Sequence, residues 1–208
     1  MICSCTGALA SSIEVAQPAY KAWVDATNAS GGINGHPIQL IVKDDALNPT
    51  TSITEVHQLI DSDHVIALAS ISNVEQAWRG YAAQKHIPVV GTSLSSLTIF
   101  SNPLWYPQGQ TIDVLPAAVV LAAKKVGAKS FAIIYCSESP SCQQLIGPEQ
   151  QAANQYGVKL AYKTAVSASA PNYTAQCLAA KQSGAQALFI ADAVSVVESV
   201  AKDCSQQG

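Results

Sequence analysis

Hydroxyl and amide side chains follow three predicted strands in the amino-terminal half of the chain. These residues are Thr6 after the first strand, Ser70, Ser72 and Asn73 after the third, and Thr92, Ser93, Ser95 and Ser96 after the fourth. Ser72 or Asn73 also opens a predicted helix, whose free N–H groups and dipole suit a carboxylate or a similar anion. Ser and Thr commonly cap helices in such loops. The pattern therefore leaves two interpretations open, reversible binding of a small ligand and simple helix capping.

The segment NASGGINGHPIQLIVKDDALNP, residues 28–49, shows how the elements that carry these loops follow one another. Its glycines can take the positive φ that a helix end and a tight turn require. Residues 38–42 form a near-continuous apolar run, which is typical of a parallel strand buried on both faces. Asn48-Pro49 ends this strand, and Thr50 or Thr51 can cap the next helix. The segment therefore predicts helix, turn, strand and helix in succession.

The same alternation runs along the whole chain. Strands are predicted at residues 2–5, 38–43, 65–69, 87–90, 131–135, 158–163 and 187–190. Helices are predicted between them, and the first carries an apolar stripe that includes Tyr20, Trp23 and Val24. Residues 101–112 hold two prolines and no helical stripe, so we place a crossing between domains there.

Alternating strands and helices with right-handed crossovers predict an α/β protein built from doubly wound parallel sheets. We expect an N-terminal lobe at residues 1–109, a second lobe at 110–208 and a hinge near 101–112. Ligands of open parallel sheets bind beyond the carboxyl ends of the strands. A ligand cleft between the two lobes is therefore expected.

Composition excludes several other classes of protein. Apolar residues make up 49% of the chain and charged residues 12%, which is enough for a sizeable core and argues against disorder. A net charge of −3 without a Lys/Arg cluster argues against nucleic-acid binding. No apolar run approaches the roughly 18 residues of a membrane helix. The lead at Met1-Ile2-Cys3 is too short for a signal peptide, so we expect that any such signal was removed or never present.

The six cysteines indicate an oxidising compartment. Cys136 and Cys142 bracket the polar loop SESPS, and Cys177 and Cys204 lie on two predicted helices that flank one strand. Two local pairs of this kind predict disulfides, although six free thiols in a cytosolic protein are the alternative. Cys3 and Cys5 point to the same side of a strand and are expected to stay free and buried. Their spacing is wrong for a zinc site, and no metal is expected.

An α/β enzyme is a weaker interpretation. The chain has no G-x-G-x-x-G, P-loop or G-x-S-x-G signature. His57 lies inside a predicted helix, and the three other histidines precede strands, at the edge opposite the expected cleft. We therefore expect neither catalysis nor a cofactor.

The motif GGINGHPIQLIVKDDALNPTTSITEVHQLI resembles the N-terminal lobe of periplasmic binding proteins of the leucine/isoleucine/valine-binding family. These proteins are the substrate-binding components of ABC transporters. The resemblance continues through HIPVVGTSLSS and the second lobe to the final KDCSQQG. Family members normally cross back to the first lobe at that point. The resemblance therefore implies that the second lobe and the hinge are incomplete in this chain.

The resemblance implies an extracytoplasmic solute-binding protein that delivers a small ligand to an ABC transporter permease. In this family, hydroxyl and backbone groups of the first lobe hold an amino acid, and by position these fall on Ser72, Ser93 and Ser95. Second-lobe contacts would come from the loop after Tyr135 and from Asp192, for which a helix cap is the alternative role. A periplasmic or cell-surface location is implied, and a lipid anchor on a removed N-terminal segment is compatible with it.

Two departures from the family leave the ligand open. The positions of a disulfide found in some relatives are occupied here by Leu47 and Ile71, so that link is absent. Cys136 and Cys142 stand in a second-lobe loop where relatives often offer an aromatic residue to cover the ligand. A branched-chain amino acid is therefore only the default ligand. A ligand-sensing regulator with the same fold is the alternative to a transport component.

Overall fold

The structure is a computed structural model that describes residues 1–13, 15–91, 102–108 and 114–208. The described residues belong to two compact units, the first made of residues 1–91 and 102–108 and the second of residues 114–208. Ser93 and Ser95 lie outside the described residues, as does part of the expected hinge. The lobe boundary between residues 109 and 110 stays a prediction.

The first unit is a five-stranded parallel sheet with the strand order β2-β1-β3-β4-β5. Its elements are β1 (Ile2–Cys3), α1 (Ala16–Ala29), β2 (Lys43–Asp44), α2 (Pro49–His57), β3 (Leu68–Ile71), α3 (Arg79–Gln84), β4 (Val89–Gly91) and β5 (Trp105–Tyr106). Short 3₁₀ turns at Ala10–Ser12 and Glu75–Ala77 and a π-helical turn at Gln58–Ser62 complete it. The sheet order confirms the predicted α/β class with parallel strands.

The position of β1 inside the sheet explains the doubly wound topology. The chain leaves β1 to form β2 on one side and later returns to form β3 on the other. Consecutive crossovers therefore run in opposite directions along the sheet. Crossovers between parallel strands are right-handed. Two crossovers that run in opposite directions along the sheet therefore place their helices on opposite faces of it. Because β1 and β3 are parallel neighbours, their carboxyl ends lie at the same edge of the sheet.

The observed strands differ most from the predicted ones at residues 38–43 and at β5. The predicted strand at residues 38–43 is reduced to Lys43–Asp44, because Ile2 pairs with Lys43 and the chain from Met1 onward offers no backbone opposite residues 38–41. A strand exists only where a neighbour completes its hydrogen bonds. Conversely, β5 lies within residues 101–112, which carry no helical stripe and for which no strand was predicted. Trp105 of this strand is buried against Trp78, with 5.9 Å between the ring centroids.

The start of α2 also differs in detail from the prediction. Asn48, rather than a threonine, caps this helix, and its Oδ1 accepts hydrogen bonds from the N–H groups of Thr50 at 2.9 Å and Thr51 at 3.1 Å. Pro49 occupies the first helical position, where its missing N–H has no consequence. The Asn-Pro pair therefore starts the helix as well as ending the strand.

The second unit is a three-stranded parallel sheet in the order β7-β6-β8. Its elements are α4 (Leu115–Lys125), β6 (Ser130–Cys136), α5 (Pro140–Gln144), α6 (Ile146–Tyr156), β7 (Lys159–Val166), α7 (Thr174–Gln182), β8 (Ala187–Ala191) and α8 (Val194–Gln207). Residues 131–134 of the central strand β6 are fully buried. Gly147-Pro148 falls in the first turn of α6, so it separates α5 from α6 without breaking either helix. In the described part of the chain, none of the helices has the length and apolar character needed to cross a membrane.

Glu149 in the first turn of α6 is an unusual core residue. It is fully buried, and neither carboxylate oxygen has a hydrogen-bond partner among the described residues. Burial raises the pKa of Glu149 to about 7. The side chain is therefore accommodated in its neutral form more easily than in its charged form.

All six cysteines form disulfides. Cys136–Cys142 joins the end of β6 to α5, and Cys177–Cys204 joins α7 to α8, which are the two pairings that the sequence indicated. The expectation that Cys3 and Cys5 stay free is wrong, because they form a third disulfide. The physical reason is local. A strand would separate these Cα atoms by about 6.6 Å. Because β1 ends at Cys3, the chain turns and brings them to 5.1 Å.

Candidate ligand-binding site

Ser72, a predicted ligand contact, lies beyond the end of β3 and is fully buried. Its hydroxyl donates to Oδ2 of Asp45 at 2.5 Å and accepts from the N–H of Val74 at 3.2 Å. Ser52 donates to the same carboxylate oxygen at 2.9 Å. A serine hydroxyl has one hydrogen to donate, and here Asp45 accepts it. Ser72 therefore secures the loop after β3 to the end of β2 and to α2.

Thr6 and Asn73 lie at the same edge of the sheet and are more accessible. Thr6 is exposed, and its N–H donates to Oδ1 of Asp44 at 3.2 Å. Asn73 is half-buried, and its N–H donates to the hydroxyl of Ser4 at 3.0 Å. Partial burial raises the pKa of Asp44, but hydrogen bonds from Thr6 and Ala46 outweigh it, so this pKa lies below its ordinary value. The structure thus brings Thr6, Ser72 and Asn73 to one edge, while Ser93 and Ser95 are outside its described part.

The carboxyl ends of all three strands of the second unit carry polar residues. Glu138 follows β6, Ser167 follows β7 and Asp192 follows β8. Oε1 of Glu138 accepts hydrogen bonds from the N–H of Ala168 at 2.7 Å and from the hydroxyl of Ser167 at 2.9 Å. Burial raises the pKa of Glu138, but these hydrogen bonds hold it below its ordinary value. The loop after β6 is therefore bonded to the loop after β7 through an ionised carboxylate.

Asp192 has one carboxylate oxygen without a partner. Its Oδ1 accepts from the N–H of Ala193 at 2.7 Å, whereas Oδ2 is buried and has no hydrogen-bond partner among the described residues. Burial raises the pKa of Asp192 to about 6; the bond from Ala193 opposes this shift and the charge of Glu138 adds to it. Oε2 of Glu138 is likewise buried without a partner in the described chain. Ala193 occupies the N-cap position of α8, so Asp192 precedes the cap by one residue.

Tyr135 serves the core of the second unit. It is half-buried and packs against the apolar cluster of Ile133 and Leu145. Beyond it the Cys136–Cys142 disulfide closes the loop. Glu138 lies within this loop and is not among the residues predicted from the sequence, because the flanking cysteines of SESPS indicate a disulfide and not a ligand contact. Its position as the first carboxylate after a buried strand was the available signal.

The model of the periplasmic binding protein family matches residues 1–208. The chain therefore belongs to this family, which is one of binding proteins and not of enzymes. Comparison with curated proteins gave no match.

Solved structures show the same fold. The leucine binding protein LivK from Thermotoga maritima MSB8 is similar, with a TM-score of 0.84, 17% identity and coverage of 100% of this chain and 59% of that protein. A solute binding protein of an ABC transporter from Rhodopseudomonas palustris BisB5, in complex with 3,4-dihydroxybenzoic acid, has a TM-score of 0.82, 20% identity and coverages of 100% and 57%.

A fatty acid ABC transporter substrate-binding protein from Thermomonospora curvata is also similar, with a TM-score of 0.84, 17% identity and coverages of 100% and 54%. The chain thus spans between 54% and 59% of the length of these three proteins. At these identities the likeness establishes the fold alone.

Proposed function

We propose that this protein is an extracytoplasmic solute-binding component of an ABC transporter and that it binds a small amino acid or a similar carboxylate without chemical change. Membership of the periplasmic binding protein family supports binding. The names of the three structural neighbours mention leucine, 3,4-dihydroxybenzoic acid and fatty acids, each of which carries a carboxyl group. A carboxylate is also what the loops at the sheet edge of the first unit were predicted to suit.

The observation that carries the amino-acid proposal is a pair of buried carboxylate oxygens, Oε2 of Glu138 and Oδ2 of Asp192, for which the described part of the chain supplies no hydrogen-bond donor. A buried carboxylate oxygen without a donor is unfavourable. An ammonium group would supply donors and a compensating charge, and it would lower the raised pKa of Asp192. A ligand without a cation, such as a fatty acid, would leave both oxygens unsatisfied. An amino acid is therefore favoured over a simple carboxylic acid.

Each unit then has its own role in the proposal. The first unit holds the ligand carboxylate through Thr6, Asn73, Ser93 and Ser95, and Ser72 holds the loop that carries Asn73 in place through Asp45. The second unit receives the ammonium at Asp192 and Glu138, the latter an addition to the residues predicted from the sequence. Binding to the first lobe would precede closure of the second by hinge motion. A branched-chain amino acid is the default ligand, and a permease that recognises the closed form is the proposed partner.

The cellular location of the protein and the partner that it binds distinguish a transporter component from a ligand-sensing regulator. Three disulfides suit a compartment outside the cytoplasm, where solute-binding components of transporters work. A ligand-sensing regulator of the same fold is the second candidate, and the family match serves both. Co-purification of a permease with the ligand-loaded protein supports transport, and co-purification of a signalling protein instead supports sensing.

The test of the ligand class needs no prior guess of its identity. The protein is purified without added ligand and denatured, and the released small molecules are identified by mass spectrometry. We expect a molecule with both a carboxylate and an ammonium group. Calorimetry with leucine, with 4-methylpentanoate and with 3-methylbutylamine then separates the two ends of the ligand. Equal affinity for leucine and 4-methylpentanoate contradicts the role of Asp192 and Glu138.

A further inference from the structure

The Cys3–Cys5 disulfide lies at the carboxyl end of β1, at the edge of the sheet that presents Thr6 and Asn73. It closes the shortest loop of the three disulfides, with a sequence separation of 2 against 6 and 27. Cys3 is fully buried, whereas Cys5 is half-buried. One end of the disulfide therefore lies at the surface, and the proposed function assigns this disulfide no role.

The chain that leaves β1 through this disulfide makes hydrogen bonds that position both site residues. Ser4, between the two cysteines, is fully buried, and its hydroxyl accepts from the N–H of Asn73 at 3.0 Å. The N–H of Thr6 donates to Oδ1 of Asp44 at 3.2 Å. Burial raises the pKa of Asp44, but hydrogen bonds that include those from Thr6 and Cys5 hold it below its ordinary value. The positions of Thr6 and Asn73 therefore depend on the path that the chain takes after β1.

The disulfide bends the backbone away from the direction of β1. The hydrogen-bond ladder of the sheet continues past Cys3, whose carbonyl accepts from the N–H of Asp45 at 2.8 Å. On the other side, the N–H of Ser4 donates to the carbonyl of Ile71 at 3.2 Å. An extended chain would separate the Cα atoms of Cys3 and Cys5 by about 6.6 Å, and the disulfide holds them at 5.1 Å. Opening the disulfide therefore removes the constraint that fixes the bend.

The surroundings of Cys3 suit a thiol as well as a disulfide. Its Sγ lies 3.5 Å from the carbonyl oxygen of Lys43. A thiol at this position has a hydrogen to donate to that oxygen, whereas a disulfide sulfur has none. A loop of only three residues also constrains the unfolded chain least, so opening it removes little of the stability of the protein. Reduction at this site is therefore a local change that the fold survives.

We propose that Cys3–Cys5 is a site of thiol–disulfide exchange with a dithiol and that its reduction releases the loop that presents Thr6 and Asn73. A thiolate of the dithiol attacks Sγ of Cys5, and the sulfur of Cys3 leaves as a thiolate and takes up a proton. The second thiol of the partner then attacks the mixed disulfide, so that Cys5 becomes a thiol and the partner becomes a disulfide. The exchange is independent of the proposed function, and only its consequence for ligand binding rests on that function.

Thiol trapping tests the exchange. The oxidised protein is incubated without denaturant at graded concentrations of dithiothreitol, its thiols are trapped with iodoacetamide, and each disulfide is followed by mass spectrometry. We expect Cys3–Cys5 to open at a dithiothreitol concentration at least about tenfold below that for the other two. The reason is the bend that this disulfide imposes within two residues of a strand, whereas the others close longer loops. Opening of Cys3–Cys5 together with or after either of the others overturns the proposal.

Hydrogen exchange tests the release of the loop. In protein reduced at this disulfide alone, the amides of Thr6 and Asn73 should exchange at least about tenfold faster than in the oxidised protein. The amide of Val56, which is fully buried in α2, should keep its rate. Unchanged rates at Thr6 and Asn73 overturn the proposal. Faster exchange at Val56 as well shows unfolding of the first unit instead of a local release, and it also overturns the proposal.

A pair of double variants repeats the comparison without a reductant. Cys3→Ser with Cys5→Ser reproduces the open state, and Cys177→Ser with Cys204→Ser, which removes a disulfide of the second unit, is the matched control. The pKa of Asp44, measured by NMR of its carboxyl carbon, should rise toward its ordinary value in the first variant only, because hydrogen bonds of the loop hold it down. An unchanged pKa contradicts the proposal. If the first variant does not fold, the same titration of the chemically reduced protein decides.

Calorimetry with leucine separates this proposal from the proposed function. Leucine should bind the oxidised protein, and it should bind at least about tenfold more weakly after reduction of Cys3–Cys5. Equal affinity for both forms overturns the control of the site by this disulfide and supports the proposed function. Absence of leucine binding to the oxidised protein counts against the default ligand, and thiol trapping and amide exchange then decide whether the disulfide releases the loop.

Discussion

Ser72 donates its hydroxyl hydrogen to Oδ2 of Asp45, a residue 27 positions earlier in the chain, at 2.5 Å. Both residues are fully buried. The same carboxylate accepts from the hydroxyl of Ser52 and, through Oδ1, from the N–H of Leu47. One side chain thus links the loop after β3 to the loop after β2 and to α2. The edge that presents Thr6 and Asn73 depends on this buried carboxylate.

Replacing Ser72 tests its structural role. Ser72→Ala removes one hydrogen bond to a buried charged group and should reduce the free energy of unfolding by about 1.5–3 kcal/mol. Urea denaturation measures this change, and Ser205→Ala, at an exposed position of α8, is the matched control. Unchanged stability together with lost ligand binding would show that Ser72 contacts the ligand directly.

The two serines after β4 carry the clearest prediction about ligand binding. Ser93→Ala combined with Ser95→Ala should weaken binding by several kcal/mol at most, since each hydrogen bond to a charged group contributes about 1.5–3 kcal/mol. Calorimetry with the ligand identified by mass spectrometry measures the loss. The double variant Ser199→Ala and Ser205→Ala, both exposed on α8, is the control. Unchanged affinity in the Ser93/Ser95 variant removes both residues from the site.

The raised pKa of Asp192 predicts how binding depends on pH. This pKa is about 6 in the free protein, and an ammonium ligand binds the ionised carboxylate. Affinity should therefore be constant well above pH 6 and should fall as pH decreases below it, by up to about tenfold per pH unit. Asp192→Asn should bind more weakly and lose this dependence. Calorimetry between about pH 5 and pH 8 measures both effects. A wild-type affinity that does not change with pH contradicts the assignment.

The raised pKa of Glu149 predicts that the stability of the protein falls as pH rises. Ligand affinity is expected to show the opposite dependence on pH. The pKa of Glu149 is raised to about 7 in the folded protein, so the folded state binds a proton that the unfolded state releases above its ordinary pKa. The contribution of the neutral side chain is complete at low pH and is lost as pH rises to about 7, with a size on the order of 3 kcal/mol. Glu149→Gln, which stays neutral, should match the wild type near pH 4 and exceed it near pH 8. Urea denaturation at both pH values checks this, and identical pH profiles would contradict it.

The two disulfides of the second unit should stabilise the protein by different amounts. Cys177–Cys204 closes a longer loop than Cys136–Cys142, with sequence separations of 27 and 6. In the loop-entropy model, removing the first should cost about 3.5 kcal/mol and removing the second about 2 kcal/mol. Double Cys→Ser variants compared by urea denaturation test this order. A denatured, unreduced sample should also show no reactive thiols, and six reactive thiols would contradict an oxidising location.

The sequence by itself determined the features that depend on residues close together in the chain, namely the turns, the order of helices and strands and one disulfide. The stops and turns of residues 28–49 follow from local backbone preferences, and the alternation of elements follows from periodicity. The short spacing of Cys136 and Cys142 made their pairing predictable. These local patterns also carry the family resemblance, and the match of the family model to residues 1–208 confirms it.

Only the tertiary structure decided what depends on partners distant in sequence. Residues 38–42 have the composition of a strand, but pairing needs a neighbouring backbone that β1 provides only from Met1 onward. The hydroxyl of Ser72 has many potential partners in a sequence, and the fold selected Asp45. Glu138 and Asp192 interact because β6 and β8 are adjacent in the sheet. Local patterns encode burial and turns, whereas the order of strands determines which polar groups meet.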